Sequence, residues 1–243
     1  MRAGSWLMIG GAALLATSLL LRHALPAPAE LRPELANEPL QVAAQTAPFV
    51  TTVGGVTYTV KPVADYEIWG LVVSNHDTRT WWNWIHEATH DNLNVVDLCV
   101  VFAENVSSGG YVGLDYSSGQ FVCYVQTRST ERWQRFSMRA IANNHLLADR
   151  PSLAAKLRAV RIGDQVRIRG MLAEYSHNHG FAYTRGTSVT RDDTGNGACE
   201  TIYVQDVEIL QRGRGPWHVL LWVAWALMGV GLVLWLRAPF KVR

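Results

Sequence analysis

Charge is missing from two long stretches of this 243-residue sequence. Residues 6–21, WLMIGGAALLATSLLL, carry none. Residues 217–236, WHVLLWVAWALMGVGLVLWL, carry none apart from the titratable His218 near their start. A helix needs about 20 apolar residues to cross a bilayer, so the second stretch reads as a transmembrane helix. Trp217 and Trp235 lie at its ends, where indoles favour the headgroups, and Arg237, Lys241 and Arg243 follow as anchors. The first stretch reads as an uncleaved signal anchor. The alternative is a cleavable signal peptide, but its Ala27-Pro28-Ala29 site lies past Arg22, well beyond the apolar run.

Any excess of positive charge is also missing from the middle of the chain. Residues 50–212 hold 15 basic and 17 acidic side chains, a net charge of −2, so no basic field is present to attract nucleic acid. The chain's overall charge of +2 comes from its flanks. Basic residues after the second apolar run, and Arg2 before the first, place both ends in the cytoplasm by the positive-inside rule; Arg212 and Arg214 pull the other way. The middle of the chain is then expected to be exported. Cysteine is scarce too. Cys99, Cys123 and Cys199 all fall in the central segment, which in an oxidising compartment predicts one disulfide and one free thiol, with three pairings open.

Four segments follow from these patterns: an N-terminal transmembrane helix or signal anchor (1–23), a linker (24–49), an exported β domain (50–212), and a C-terminal transmembrane helix with a basic cytoplasmic tail (213–243). Residues 24–48 carry five prolines and no hydrophobic period, and predict a stiff spacer that holds the domain off the membrane. No internal repeat is present.

β-branched and aromatic residues predict strands over 66–74, 95–103, 120–127, 164–175 and 200–210, with a short strand or hairpin over 56–63. A tryptophan-rich helix is expected around 80–92. A second helix is expected over 150–160, where Leu153, Leu157 and Val160 recur at i, i+4 and i+7.

Five strands with a helix between the third and fourth resemble the OB fold, a five-stranded Greek-key barrel. The stretch RIGDQVRIRG (161–170) is similar to the turn and fourth strand of OB modules, where G-D-x-V-x-x-x-G recurs. The resemblance covers residues 60–210 and implies a mainly β (α+β) domain with one or two short helices. Residues 104–119 and 176–199 stand in it as long insertions. More broadly, the layout resembles uncharacterised bacterial membrane-anchored proteins, which implies an inner-membrane protein with its central domain in the periplasm.

Within WWNWIHEATHDN (81–92), His86-Glu87-Ala88-Thr89-His90 spells H-E-x-x-H. On a helix this pattern puts two imidazoles on one face for zinc, with the glutamate as general base. Its surroundings point elsewhere. Asp91, Asn92 and Asn94 end the segment early, whereas zinc proteases carry the motif on a long helix with apolar neighbours. An amphipathic helix whose tryptophans and Ile85 pack on a surface fits better.

Asp193-Thr194-Gly195 spells the aspartic-protease triplet, but in a wholly polar loop where turn geometry accounts for these residue types. His177 and His179 point to one side if extended, for a ligand or for metal together with His86 or His90. Arg167 and Arg169 share one strand face, with Arg132, Arg135 and Arg139 nearby in sequence, and offer a patch for an acidic partner or polar glycan. Asn105-Val106-Ser107 fits a glycosylation sequon. Gly229 and Gly231 are small enough to admit another helix, the first one or that of a second copy.

The expectation is therefore an anchored, OB-like binding or assembly module with no cofactor and no catalytic residue. Its partners would be envelope proteins, with a homo-oligomer through the membrane helices as a further contact. Its binding residues would be Arg167, Arg169, His177 and His179. The competing expectation is a zinc metalloprotease built on His86, Glu87 and His90.

Overall fold

A computed structural model describes residues 3–193, 199–213 and 215–238. The chain divides into two compact units, the two ends (to residue 25 and from 213) and residues 26–212.

The end unit pairs two helices, α1 (Ala3–Leu21) and a C-terminal helix, Trp217–Arg237, both long and apolar enough to span a membrane. They run antiparallel. Gly4 lies against Gly231 and Trp235, Gly11 against Ala224 and Met228, and the His23 and His218 rings are 6.5 Å apart. Gly4, Gly11 and Ser18, spaced by seven, are the buried residues of α1. Small residues in this register let two backbones approach where lipid offers no hydrophobic drive of its own. Gly231 serves the contact, and Gly229 faces open space.

The second unit begins in the segment expected to be a stiff spacer. Instead, turns at 28–30 and 33–36 pack on the domain: Leu35 is fully buried, Tyr111 donates to the Pro26 carbonyl, and Gln165 bonds both the Arg32 amide and the Glu30 carbonyl. Proline sets the turns here, and side-chain partners tie them down.

Strands β1 (Leu40–Ala43) and β2 (Phe49–Val53) then pair with β3 (Val56–Asp77). β3 runs straight through the 56–63 and 66–74 stretches as one 22-residue strand, with a register shift at Pro62. A short helix α2 (Trp84–Ala88) leads to β4 (Asn94–Val101). Next come α3 (Ala103–Ser107), a separate hairpin of β5 (Asp115–Gly119) and β6 (Val122–Gln126), and α4 (Thr130–Arg135). β7 (Ile141–Leu147), α5 (Pro151–Arg158), β8 (Gln165–Asn178), β9 (Ala182–Arg185) and β10 (Glu200–Gln211) follow, and we label the C-terminal helix α6.

The strand expected over 120–127 is present as β6, but it is not the third strand of the main sheet. Those residues form the outlying hairpin, and the strand that enters the main sheet is β7, IANNHLL. Its polar centre, Asn143-Asn144-His145, hides the strand pattern. Among the described residues four short helices lie between strands, where one or two were expected.

The main sheet runs β1-β3-β4-β7-β10-β8-β9, and β3 also pairs with β8. Each of β3, β4, β7, β10 and β8 thus has a strand on both sides. β7–β10 is parallel, and the other pairs among these five are antiparallel. Leu153 and Leu157 bury the apolar stripe of α5, and Val160 just beyond it joins them, in one core with Val96, Leu98, Ile168 and Ile202. The glycines of the 161–170 stretch have physical reasons. Gly163 takes a φ of +88°, favourable only without a Cβ, and Gly170 passes the Tyr203 carbonyl where a Cβ would not fit.

Candidate functional site

The sharpest cluster of chemistry-bearing residues sits where the segment between β3 and β4 folds over the sheet. Its anchor is Asp97 on β4, fully buried. Asp97 Oδ1 accepts from His145 Nδ1 at 2.7 Å and from Asn94 Nδ2 at 2.9 Å, and Oδ2 accepts from the Phe121 amide at 3.2 Å. Burial pushes this carboxyl up, but His145 and these hydrogen bonds outweigh it and hold the group below the usual carboxylate range.

At His145 burial opposes an imidazolium and the Asp97 carboxylate outweighs it, raising the pKa, but the hydrogen-bond geometry on the far side of the ring decides against the charged form. The tautomer is set by Arg185, whose Nη2 lies 2.6 Å from His145 Nε2. A guanidinium only donates, so Nε2 accepts and the ring is neutral. Asp97, His145 and Arg185 together then carry no net charge, the arrangement burial favours. Arg185 also lies 4.0 Å above the Phe121 ring.

His86 is held in the same way. Its Nδ1 donates to Asn83 Oδ1 at 2.6 Å and its Nε2 accepts from Asn94 Nδ2 at 3.0 Å. The amide directions are fixed from outside, since Asn83 Nδ2 donates to the Thr78 carbonyl and Asn94 Nδ2 to Asp97. His76 Nε2 donates to the same Asn83 oxygen at 3.0 Å. Burial lowers His86 to about 4, the nearby Asp97 charge notwithstanding, so the ring is neutral at neutral pH. It serves as a strut.

The H-E-x-x-H pattern therefore does not form the surface it spells. α2 ends at Ala88, and His90 lies beyond it with a φ of +52°. His86 points inward with both nitrogens occupied, while the exposed His90 ring lies 5.1 Å from His179 and 5.6 Å from Phe181. Glu87 is exposed. Among the described residues, no three His, Cys, Asp or Glu side chains converge as metal ligands.

Asp91, next in the chain, is buried under Tyr175 and Tyr183, whose hydroxyls lie 2.6 and 3.3 Å from Oδ2; burial raises its pKa. Tyr58 completes the fastening by donating to the His90 carbonyl and accepting from the Asn92 amide. The hinge of this segment is thus tied from below at Thr78, Asn83, His86, His90, Asp91, Asn92 and Asn94.

The tryptophans remain outside. Trp81 is 95% exposed, Trp84 66% and Trp82 40%, with the Trp82 ring tilted against His76 at 4.5 Å. Trp81 borders an open cleft of about 400 Å³ with Thr78, Arg79, Thr80, Asn83, Glu87 and Asn94 among its lining.

The other expected residues are scattered. Arg167 pairs with Glu67 and stands 3.7 Å from Glu208, and Arg169 borders a different pocket beside Leu40 and Val42. Arg135 pairs with Glu131, Arg139 with Asp192, and Arg132 donates to the Gly113 carbonyl, so no single basic patch forms. His177 and His179 do not share a side. His177 is buried and its Nε2 donates to the Thr89 carbonyl; His179 lies exposed beyond the end of β8. Asn105 of the sequon is buried, its amide donating to the Ser137 and Ala140 carbonyls. In the triplet 193–195, Thr194 and Gly195 lie outside the described residues.

Cys99 and Cys123 form the disulfide, tying β6 to β4, and Cys199 is the free thiol. Asn143, Asn144, His145 and Arg185 were not singled out in the sequence. The one available signal was three polar residues interrupting an apolar run at 141–147. Comparison with family models, with characterised proteins and with solved structures gives no match.

Proposed function

We propose that the chain is a membrane-anchored, extracytoplasmic binding or assembly module of the bacterial inner membrane, with an OB-like barrel that acts on envelope proteins by contact and not by catalysis. One observation carries this reading: three tryptophans stand exposed on a segment whose underside is fixed by a buried network. Large exposed aromatics are costly to leave in water and are the residue type that most often dominates binding surfaces. A rigid support lowers the ordering cost of using them.

Two features support the finer points. The five strands with two neighbours each, one parallel pair among antiparallel ones and α5 between the third and fourth are the element order of an OB barrel. Two apolar end helices and a disulfide in the intervening domain fit an anchored protein in an oxidising compartment.

The test is native electrophoresis of membranes extracted in mild detergent. The wild-type chain is expected to migrate in an assembly larger than itself, and Trp81→Ser/Trp84→Ser to release it, while Glu87→Gln leaves the assembly intact. Loss of the assembly in Glu87→Gln with retention in the tryptophan variant would count against the reading.

A further inference from the structure

The tip of the β5–β6 hairpin reaches the segment that carries the tryptophans. Gln120, in the turn, bonds the backbone on both sides of Trp84: the Ile85 amide donates to its Oε1 at 2.7 Å, and its Nε2 donates to the Trp82 carbonyl at 3.3 Å. The first of these satisfies an amide in the opening turn of α2, which the helix itself leaves without a partner. Phe121, the next residue, donates its amide to Asp97 Oδ2 at 3.2 Å. Its ring centre lies 4.0 Å from that of His86 and 4.0 Å from the Arg185 guanidinium. The φ of +62° at Phe121 is one that a bulky residue keeps only where its surroundings hold it.

The hairpin has little of its own to keep that tip in place. Among the described residues it pairs with no strand of the main sheet, and a two-stranded hairpin alone is marginal in water. Behind the tip, the Ser74 and Ser118 hydroxyls meet at 2.7 Å, and the Cys99–Cys123 disulfide ties β6 to β4. Cys123 is the second residue after Phe121, so the bond confines the tip beside its partners and keeps its effective concentration there high. Cys99 is fully buried and Cys123 half-buried, so a thiol approaches the bond from Cys123.

We infer that this disulfide is a redox latch on the tryptophan-bearing segment, opened by a dithiol reductant. The first thiolate of the reductant attacks Cys123 Sγ and displaces Cys99, which leaves as a thiolate and takes up a proton. The second thiol then displaces Cys123 in the same way, as the reductant closes into its own disulfide. With the bond open, Gln120 and Phe121 exchange their hydrogen bonds for water and residues 78–93 loosen, while the main sheet, whose strands pair without the hairpin, stays folded. For the contact surface proposed above, the latch sets how rigidly the tryptophans are presented. That consequence rests on the proposed function, whereas the latch is read without a partner, so either can fail alone.

The test is hydrogen–deuterium exchange of the full chain in detergent, in a Cys199→Ser background so that alkylation counts only the latch cysteines. Dithiothreitol is expected to open the bond in the folded chain and to speed exchange over 78–93 about 10-fold or more, while 165–175 stays protected over the same labelling time. Gln120→Ala, with the bond still closed, is expected to speed exchange over 78–93 as well. Unchanged exchange over 78–93 once the bond is open, loss of protection over 165–175 along with it, or wild-type exchange in Gln120→Ala overturns the inference.

Discussion

His86 gives both ring nitrogens to amides, and this has a pH signature. Its folded pKa of about 4 lies below the ordinary imidazole value of 6.5, so between these two the unfolded chain holds the extra proton. The contribution of His86 is complete above pH 6.5 and is lost as pH falls towards 4. A shift of this size is worth about 3 kcal/mol. Denaturant titrations of the detergent-solubilised protein at pH 7 and pH 4.5 are expected to show a smaller acid loss in His86→Gln than in wild type; equal losses would contradict the strut. Asp97 is the more critical residue. Asp97→Asn removes the charge that balances Arg185 and should cost about 3–5 kcal/mol, as breaking a buried pair does. A loss within about 0.5 kcal/mol, the size of an ordinary surface change, would show that the pair is not what holds the segment. At this scale the sequence was a partial guide. The short run before Asp91 argued against a long motif helix, but nothing local announces that His86 meets Asn94 and, through Asp97, His145, because those contacts join α2 to β4 and β7.

The disulfide between Cys99 and Cys123 holds the β5–β6 hairpin, an element outside the main sheet, against β4. Closing a loop with a sequence separation of 24 is worth about 3.5 kcal/mol in the chain-entropy model. Reduction should lower the denaturation midpoint accordingly, and Cys199→Ser should not. In the helix pair, a side chain at Gly4 or Gly231 would meet the backbone of the opposite helix. Gly231→Leu is therefore expected to lower the melting temperature in detergent, with Gly229→Leu as the neutral counterpart; equal effects would contradict the register. Elements were legible where period and composition agreed, as in both end helices, α5 and β8. They were illegible where function-like polarity overrode the pattern. β7 carries Asn-Asn-His in its centre because those side chains are buried among partners, so alternation fails there, whereas residues 120–127 look like a core strand yet make a peripheral hairpin. The proline-rich stretch misled for a related reason, since proline sets turns as readily as spacers and only tertiary partners decide which.

At the scale of the whole molecule, the end helices are antiparallel, so residue 4 and residue 235 lie at the same end of the pair. In a membrane, both ends of the chain would then share one side. The proposed tethered binding surface stands on whether the tryptophan-bearing face meets a partner in the cell. The direct measurement is site-specific photo-cross-linking in intact cells, with a photoreactive phenylalanine at position 84 and, for comparison, at the exposed position 61. Discrete higher-mass adducts from position 84 that are absent from position 61 are the expected result; no adduct at 84, or the same adducts from both positions, would contradict it.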